Sequence, residues 1–172
     1  MRVVVLVIVV GVALAALLAL GVFRGAPTPS PSPASKSQAA SAASVASAEW
    51  LTDYLQAQKR AAEKKLPILA DFTGSDWCGT CIALKKEVFN TPEFAAWANQ
   101  QVILLEVDFP NEEPQTAALK QQNLQLATTF SVDQYPTILF LDATGKKIGQ
   151  TGYVAGGPQA WIAAAENSLA GK

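Results

Sequence analysis

The pattern of apolar and polar positions divides the chain into three stretches. Val3 to Phe23 is an apolar run with no charge inside it. Pro27 to Ser47 is dominated by Pro, Ser, Ala and Thr, with Lys36 and no large apolar residue except Val45. From Glu49 onward, short periodic segments alternate with turn residues. The pattern therefore predicts a membrane segment over 1–25, a linker over 26–48 and a globular domain over 49–172.

Within the domain, helical periodicity places Trp50, Tyr54 or Leu55, Ala57, Ala61 and Ala62 near one face of a helix over Glu49–Leu66. Ser47 is its expected cap and Pro67 its end. Pro67–Phe72 is a short apolar run and reads as a strand buried on both faces, with Asp71 out of place in it. Thr73–Asp76 is a turn, and a helix runs from the cysteines to about Phe89. Thr91-Pro92-Glu93 opens a short helix with a capping hydroxyl, a proline at the first position and an acid in the first turn. Gln101–Phe109 reads as a second buried strand. Gln115 to about Phe130 reads as a helix with Leu119, Leu126 and Phe130 inward and a break near Asn123. Thr137–Leu141 and the more polar Lys146–Tyr153 form a hairpin around Asp142–Gly145. Pro158 opens a last helix carrying Trp161, Ile162, Ala165 and Leu169. The first two strands, joined through helices, should be parallel and the hairpin antiparallel to them. The expected fold is α/β: a mixed four-stranded sheet flanked by helices, behind an N-terminal transmembrane helix.

Length, orientation and the linker sharpen the membrane reading. At 1.5 Å per residue the apolar run spans about 30 Å, a bilayer core. Signal peptides usually have shorter apolar regions, and Arg24-Gly25-Ala26-Pro27 is a poor cleavage site, so an uncleaved anchor is expected, with a cleaved signal as the alternative. Arg2 and the amino terminus favour an inside N-terminus, weakly opposed by Arg24. A Pro/Ser/Ala tether behind such an anchor suits a domain on the extracytoplasmic, periplasmic side, where disulfides persist.

The formal net charge is -1, which leaves no basic footprint for nucleic acid. The chain has no histidine, which removes His-assisted nucleophiles and most zinc sites. It has two cysteines, Cys78 and Cys81, in Trp77-Cys78-Gly79-Thr80-Cys81. Residues i and i+3 share a helix face, so the two sulfurs can form a disulfide. Cys78 sits at the helix start, where free N–H groups and the dipole favour a thiolate, the reactive species. It would attack a substrate disulfide, and Cys81 would then release the substrate reduced; the reverse order makes a disulfide. Gly79 leaves room for a partner backbone. Asp76, as a helix cap, would oppose the thiolate, with Lys85 and Lys86 as weak offsets. The competing readings are half of a zinc site shared in a dimer, and an inert structural disulfide. Zinc wants four ligands that this chain lacks, and a disulfide closing so small a loop adds little stability.

Taken together, Asp71-Phe72, the Trp-Cys-Gly-Thr-Cys motif, Tyr135-Pro136-Thr137 and Asp142-x-x-Gly145 resemble the thioredoxin family from about Glu49 to Ala170. The Gly74–Trp77 approach is similar to that of membrane-tethered bacterial members. The resemblance implies a cis bond before Pro136, and a substrate laid as an added strand along position 135, beside Trp77. It implies Asp71 beneath Cys81 as its general base. Gly-Thr replaces the Gly-Pro of thioredoxin, and the second strand lacks the lysine that thioredoxin pairs with its buried acid. The function expected is a membrane-tethered thiol:disulfide oxidoreductase, more a reductant than an oxidant. It would act on protein or peptide disulfides with a thiol electron donor and need no cofactor or metal. A non-catalytic docking module on the same scaffold is the alternative reading.

Overall fold

The computed structural model describes residues 48–171. The expected membrane run and all but the last residue of the expected linker lie outside the described residues. Among those described, no helix is long and apolar enough to cross a membrane.

Five strands form one sheet in the order β1-β3-β2-β4-β5, one more than the pattern predicts. They are β1 Trp50–Leu51, β2 Ile68–Thr73, β3 Ile103–Asp108, β4 Thr137–Leu141 and β5 Lys147–Thr151. β1, β3 and β2 run parallel, while β4 is antiparallel to β2 and β5 to β4. The helices are α1 Tyr54–Lys64, α2 Gly79–Leu84, α3 Pro92–Gln101, α4 Ala117–Phe130 and α5 Gly157–Ala170. α2 continues directly into a π-helical turn over Lys85–Phe89.

The extra strand corrects the first predicted helix. Trp50 and Leu51 pair with Leu104 and Leu105 at the sheet edge. The Trp50 ring packs 5.1 Å from that of Phe89 and 6.3 Å from that of Phe94. This aromatic packing outweighs local helical periodicity. The helix is instead capped by Asp53, whose carboxylate accepts from the Gln56 N–H at 2.9 Å. Ala57 and Ala61 are buried as expected, whereas Leu55 and Ala62 are exposed. Thr91 caps α3 and Pro92 opens it, as the sequence predicts.

No break occurs at Asn123. Its side chain is buried within a continuous α4 and donates to the Asp108 carbonyl at 2.9 Å. A polar residue that finds a distant partner leaves the helix intact.

Strand alternation sorts the core into two layers. Ile68, Ala70 and Phe72 of β2 face one way and pack with Ala57, Ala61 and Leu126, the side of α1 and α4. Leu69 faces the other way, with Leu84, Phe94 and Trp161 from α2, α3 and α5. Asp71 shares the face of Leu69, so the period of two places its carboxylate on the side that the cysteine-bearing helix covers.

Candidate active site

The site sits where β2 ends and α2 begins. The chain turns at Gly74, whose carbonyl accepts from the Cys78 N–H at 3.0 Å. A side chain at Gly74 would collide with the Trp77 indole, so only glycine lets the ring lie against this turn. Three long-range contacts then fix the approach to the cysteines. The Ser75 N–H and hydroxyl donate to the Asp108 carboxylate at 2.9 and 2.5 Å. Trp77 Nε1 donates to the Phe109 carbonyl at 2.7 Å. Asp76 accepts from the N–H groups of Asn111, Glu112 and Glu113.

That last contact corrects the expected role of Asp76. It does not cap α2. Its carboxylate turns to the Pro110–Pro114 loop, where the Asn111 and Glu112 N–H groups hold its pKa below the usual carboxylate value. The cap is Cys78 itself, with extended backbone and its Sγ accepting from the Cys81 N–H at 3.2 Å. A sulfur in that position meets an unpaired helix donor, which favours its anionic form once the disulfide opens.

Cys78 and Cys81 are joined in a disulfide, with Cα atoms 5.2 Å apart. Cys78 is 8% exposed and Cys81 3%, so the first cysteine is the more exposed residue. Beyond Gly79 a side chain would meet open space, leaving this corner free for an incoming chain. The Tyr135–Pro136 peptide bond is cis. The Tyr135 ring stands edge-on to that of Trp77 at 5.8 Å. The residue before Cys78 and the residue before the cis proline therefore pack against each other.

Asp71 is buried, and its Oδ1 has no hydrogen-bond partner. Burial first, then the charge of Glu106, raises its pKa to about 8, against a lowering by Lys85. Glu106 stands opposite Asp71 in the β2–β3 register. Lys85, one turn beyond Cys81, bonds Glu106 at 2.9 Å. Burial pulls the Lys85 pKa down, but its hydrogen bond to Glu106 together with the charges of Glu106, Asp108 and Asp71 outweighs that and leaves it raised. A lysine is thus present near the buried acid, delivered by the helix rather than the neighbouring strand. The charges make opposite predictions: Lys85→Met should raise the Asp71 titration point and Glu106→Gln should lower it. Carboxyl carbon NMR of Asp71 across pH reads both.

Sequence reasoning did not find Asp108, Glu106 or the Asp76 loop contact. Glu106 carried a signal: it interrupts an apolar strand just as Asp71 does. Among the described residues no group of His, Cys, Asp and Glu has the geometry to hold a metal.

A helix-capping cysteine closed onto its i+3 neighbour, after a strand that buries an acid and in a domain with a cis X-Pro bond, defines a thioredoxin-like thiol:disulfide oxidoreductase. The thioredoxin-like domain model matches residues 54–166, and the chain belongs to that family. It is 31% identical over 126 residues to the disulfide bond reductase DsbH of Chlamydia pneumoniae, covering 73% of this chain and 75% of that protein. A thioredoxin-related protein, DsbJ, from the same organism is 34% identical over 106 residues, which cover 62% of this chain and 30% of that one. Among solved structures, a DsbH oxidoreductase superposes with a TM-score of 0.72 at 29% identity, covering 83% of this chain and 96% of that one.

Proposed function

We propose that this protein is a membrane-tethered reductase of protein or peptide disulfides, its domain held on the extracytoplasmic side by the N-terminal apolar run. The observation that carries the thiol–disulfide chemistry is the pairing of Cys78 as helix cap with the more buried Cys81; the reductive direction rests on the similarity to a relative named for disulfide reduction. In the reduced protein the Cys78 thiolate attacks one sulfur of a substrate disulfide. A Cys78–substrate disulfide forms, the substrate bond breaks, and the other substrate sulfur leaves as a thiol. Asp71 then takes the Cys81 proton, and the Cys81 thiolate displaces the second substrate sulfur from Cys78. Two electrons pass to the substrate, and the enzyme disulfide closes. A separate thiol donor must reopen it. The relative DsbH, named a disulfide bond reductase, supports this direction.

The test is a trap. With Cys81→Ser the cycle stops at the mixed disulfide, so Cys78 should accumulate covalent, reductant-sensitive adducts with substrate proteins, and Cys78→Ser should accumulate none. Equal labelling of both variants, or of neither, contradicts the proposal. For the tether, removal of residues 1–25 should release the domain from membranes; retention at the membrane would refute it.

A further inference from the structure

A groove of about 490 Å³ opens beside Trp77, the residue before Cys78. Its floor is aromatic, made by Trp77, Phe109 and Tyr135. The Phe109 and Tyr135 rings lie 5.3 Å apart, and Trp77 remains 46% exposed although its Nε1 is fixed to the Phe109 carbonyl. The far wall is the Pro110–Pro114 loop. Two prolines and the three N–H bonds to Asp76 hold that wall in place before any ligand arrives.

The charges on this wall are one-sided. Glu112 and Glu113 are exposed, and among the described residues their carboxylates have no ion pair or hydrogen bond. Asp76 adds a third negative charge behind them. Lys120 is the one cation in the lining. A partly exposed aromatic lining with unpaired acids in the same groove suits a guanidinium or ammonium group. The cation stacks on the ring within about 6 Å while its N–H groups reach the carboxylates. An acidic side chain would meet repulsion there, and an aliphatic one would leave the carboxylates without a partner.

The groove is lined by both Trp77, the residue before Cys78, and Tyr135, the residue before Pro136. At about 3.3 Å per extended residue, a side chain a few positions from a bound cystine reaches it. The geometry points to a specificity groove that selects disulfide substrates carrying Arg or Lys within about three residues of the attacked cysteine, through Trp77, Glu112 and Glu113. This inference rests on the oxidoreductase reading and adds the substrate class.

The test uses the reduced full chain and short single-cysteine peptides whose sulfur is bonded to a nitrothiobenzoate leaving group. One flanking position carries Arg, Gln, Leu or Glu in turn. Attack by Cys78 on the peptide sulfur releases the coloured thiolate, which gives the rate constant directly. At low ionic strength the Arg peptide should react roughly three- to tenfold faster than the Glu peptide, with Gln between, and salt should narrow the gap. In a Glu112→Gln, Glu113→Gln variant the Arg-to-Glu ratio should fall to about twofold or less. A remote pair, Glu63→Gln with Glu93→Gln, should leave the ratio standing, which separates the groove from net charge. Equal rates for Arg and Glu peptides, a Leu peptide faster than Arg, or the same ratio in the groove variant would overturn the inference. A loss of the ratio in the remote variant would do so too. No reaction with any peptide, the Gln one included, would overturn the oxidoreductase reading along with it.

Discussion

Asp71→Asn is expected to make the protein more stable and less active at once. The folded-state pKa of Asp71 is raised to about 8 by burial, with Glu106 adding to it. An unfolded Asp ionises near 4. Below that value the group is neutral in both states and its burial is tolerated. As pH rises toward 8, unfolding increasingly releases a proton and so becomes easier, and each pH unit removes about 1.4 kcal/mol of stability. Asn has no charge to bury. The variant should therefore match the wild type near pH 4 and exceed it by about 2–4 kcal/mol at pH 7, with the gap levelling off above pH 8. Urea unfolding of the oxidised proteins across pH measures this. Turnover should move the other way. Without the base for Cys81, disulfide reduction at neutral pH should slow by roughly 10²-fold, and the deficit should shrink as alkaline pH ionises Cys81 unaided. A variant that lost both stability and activity would mark Asp71 as a structural residue rather than a proton acceptor.

The second large effect falls on the cysteines, and it is asymmetric. Cys78→Ser should abolish catalysed disulfide reduction, leaving insulin no more reactive than with free dithiol, because a hydroxyl at the helix cap cannot replace the thiolate nucleophile. Cys81→Ser should also stop turnover but keep the first step, visible as one equivalent of stalled mixed disulfide. Stability should change by no more than about 2 kcal/mol in either variant, since the bridge closes a very small loop. A large loss of stability in Cys78→Ser would instead assign the disulfide a structural role.

Much of the fold was legible because its signals are local. The apolar run of β2, the Thr91-Pro92 start of α3 and the Asp142–Gly145 turn each declare themselves within a few residues. The Cys-x-x-Cys pair did the same for the chemistry, and Asp71 stood out as an acid in a buried strand. What escaped the sequence depends on partners far along the chain. A two-residue strand such as Trp50–Leu51 has no period to read and exists only because β3 lies beside it. Asn123 looks like a helix breaker until the Asp108 carbonyl is placed against it. Asp76 has the right residue type and position for a cap, yet the three N–H groups of a loop more than thirty residues away claim its carboxylate. Lys85 and Glu106 meet across a helix and a strand, so neither could be assigned to the buried acid from spacing alone.

These long-range contacts also explain how the site holds its form. Asp108, Asp76 and Trp77 tie the approach to Cys78 onto the end of β3. The cap sulfur is thereby set by two strands and a loop rather than by α2 alone. Such fixed placement aims the Cys81 N–H at the Cys78 sulfur.

The most direct measurement is the alkylation rate of each cysteine in the reduced protein as a function of pH. A thiolate stabilised by the Cys81 N–H predicts that Cys78 reacts at pH 7 well ahead of an ordinary thiol, with a midpoint clearly below about 8.5 and with Cys81 lagging behind it. A Cys78 that titrates like a free thiol, or one slower than Cys81, would contradict the account.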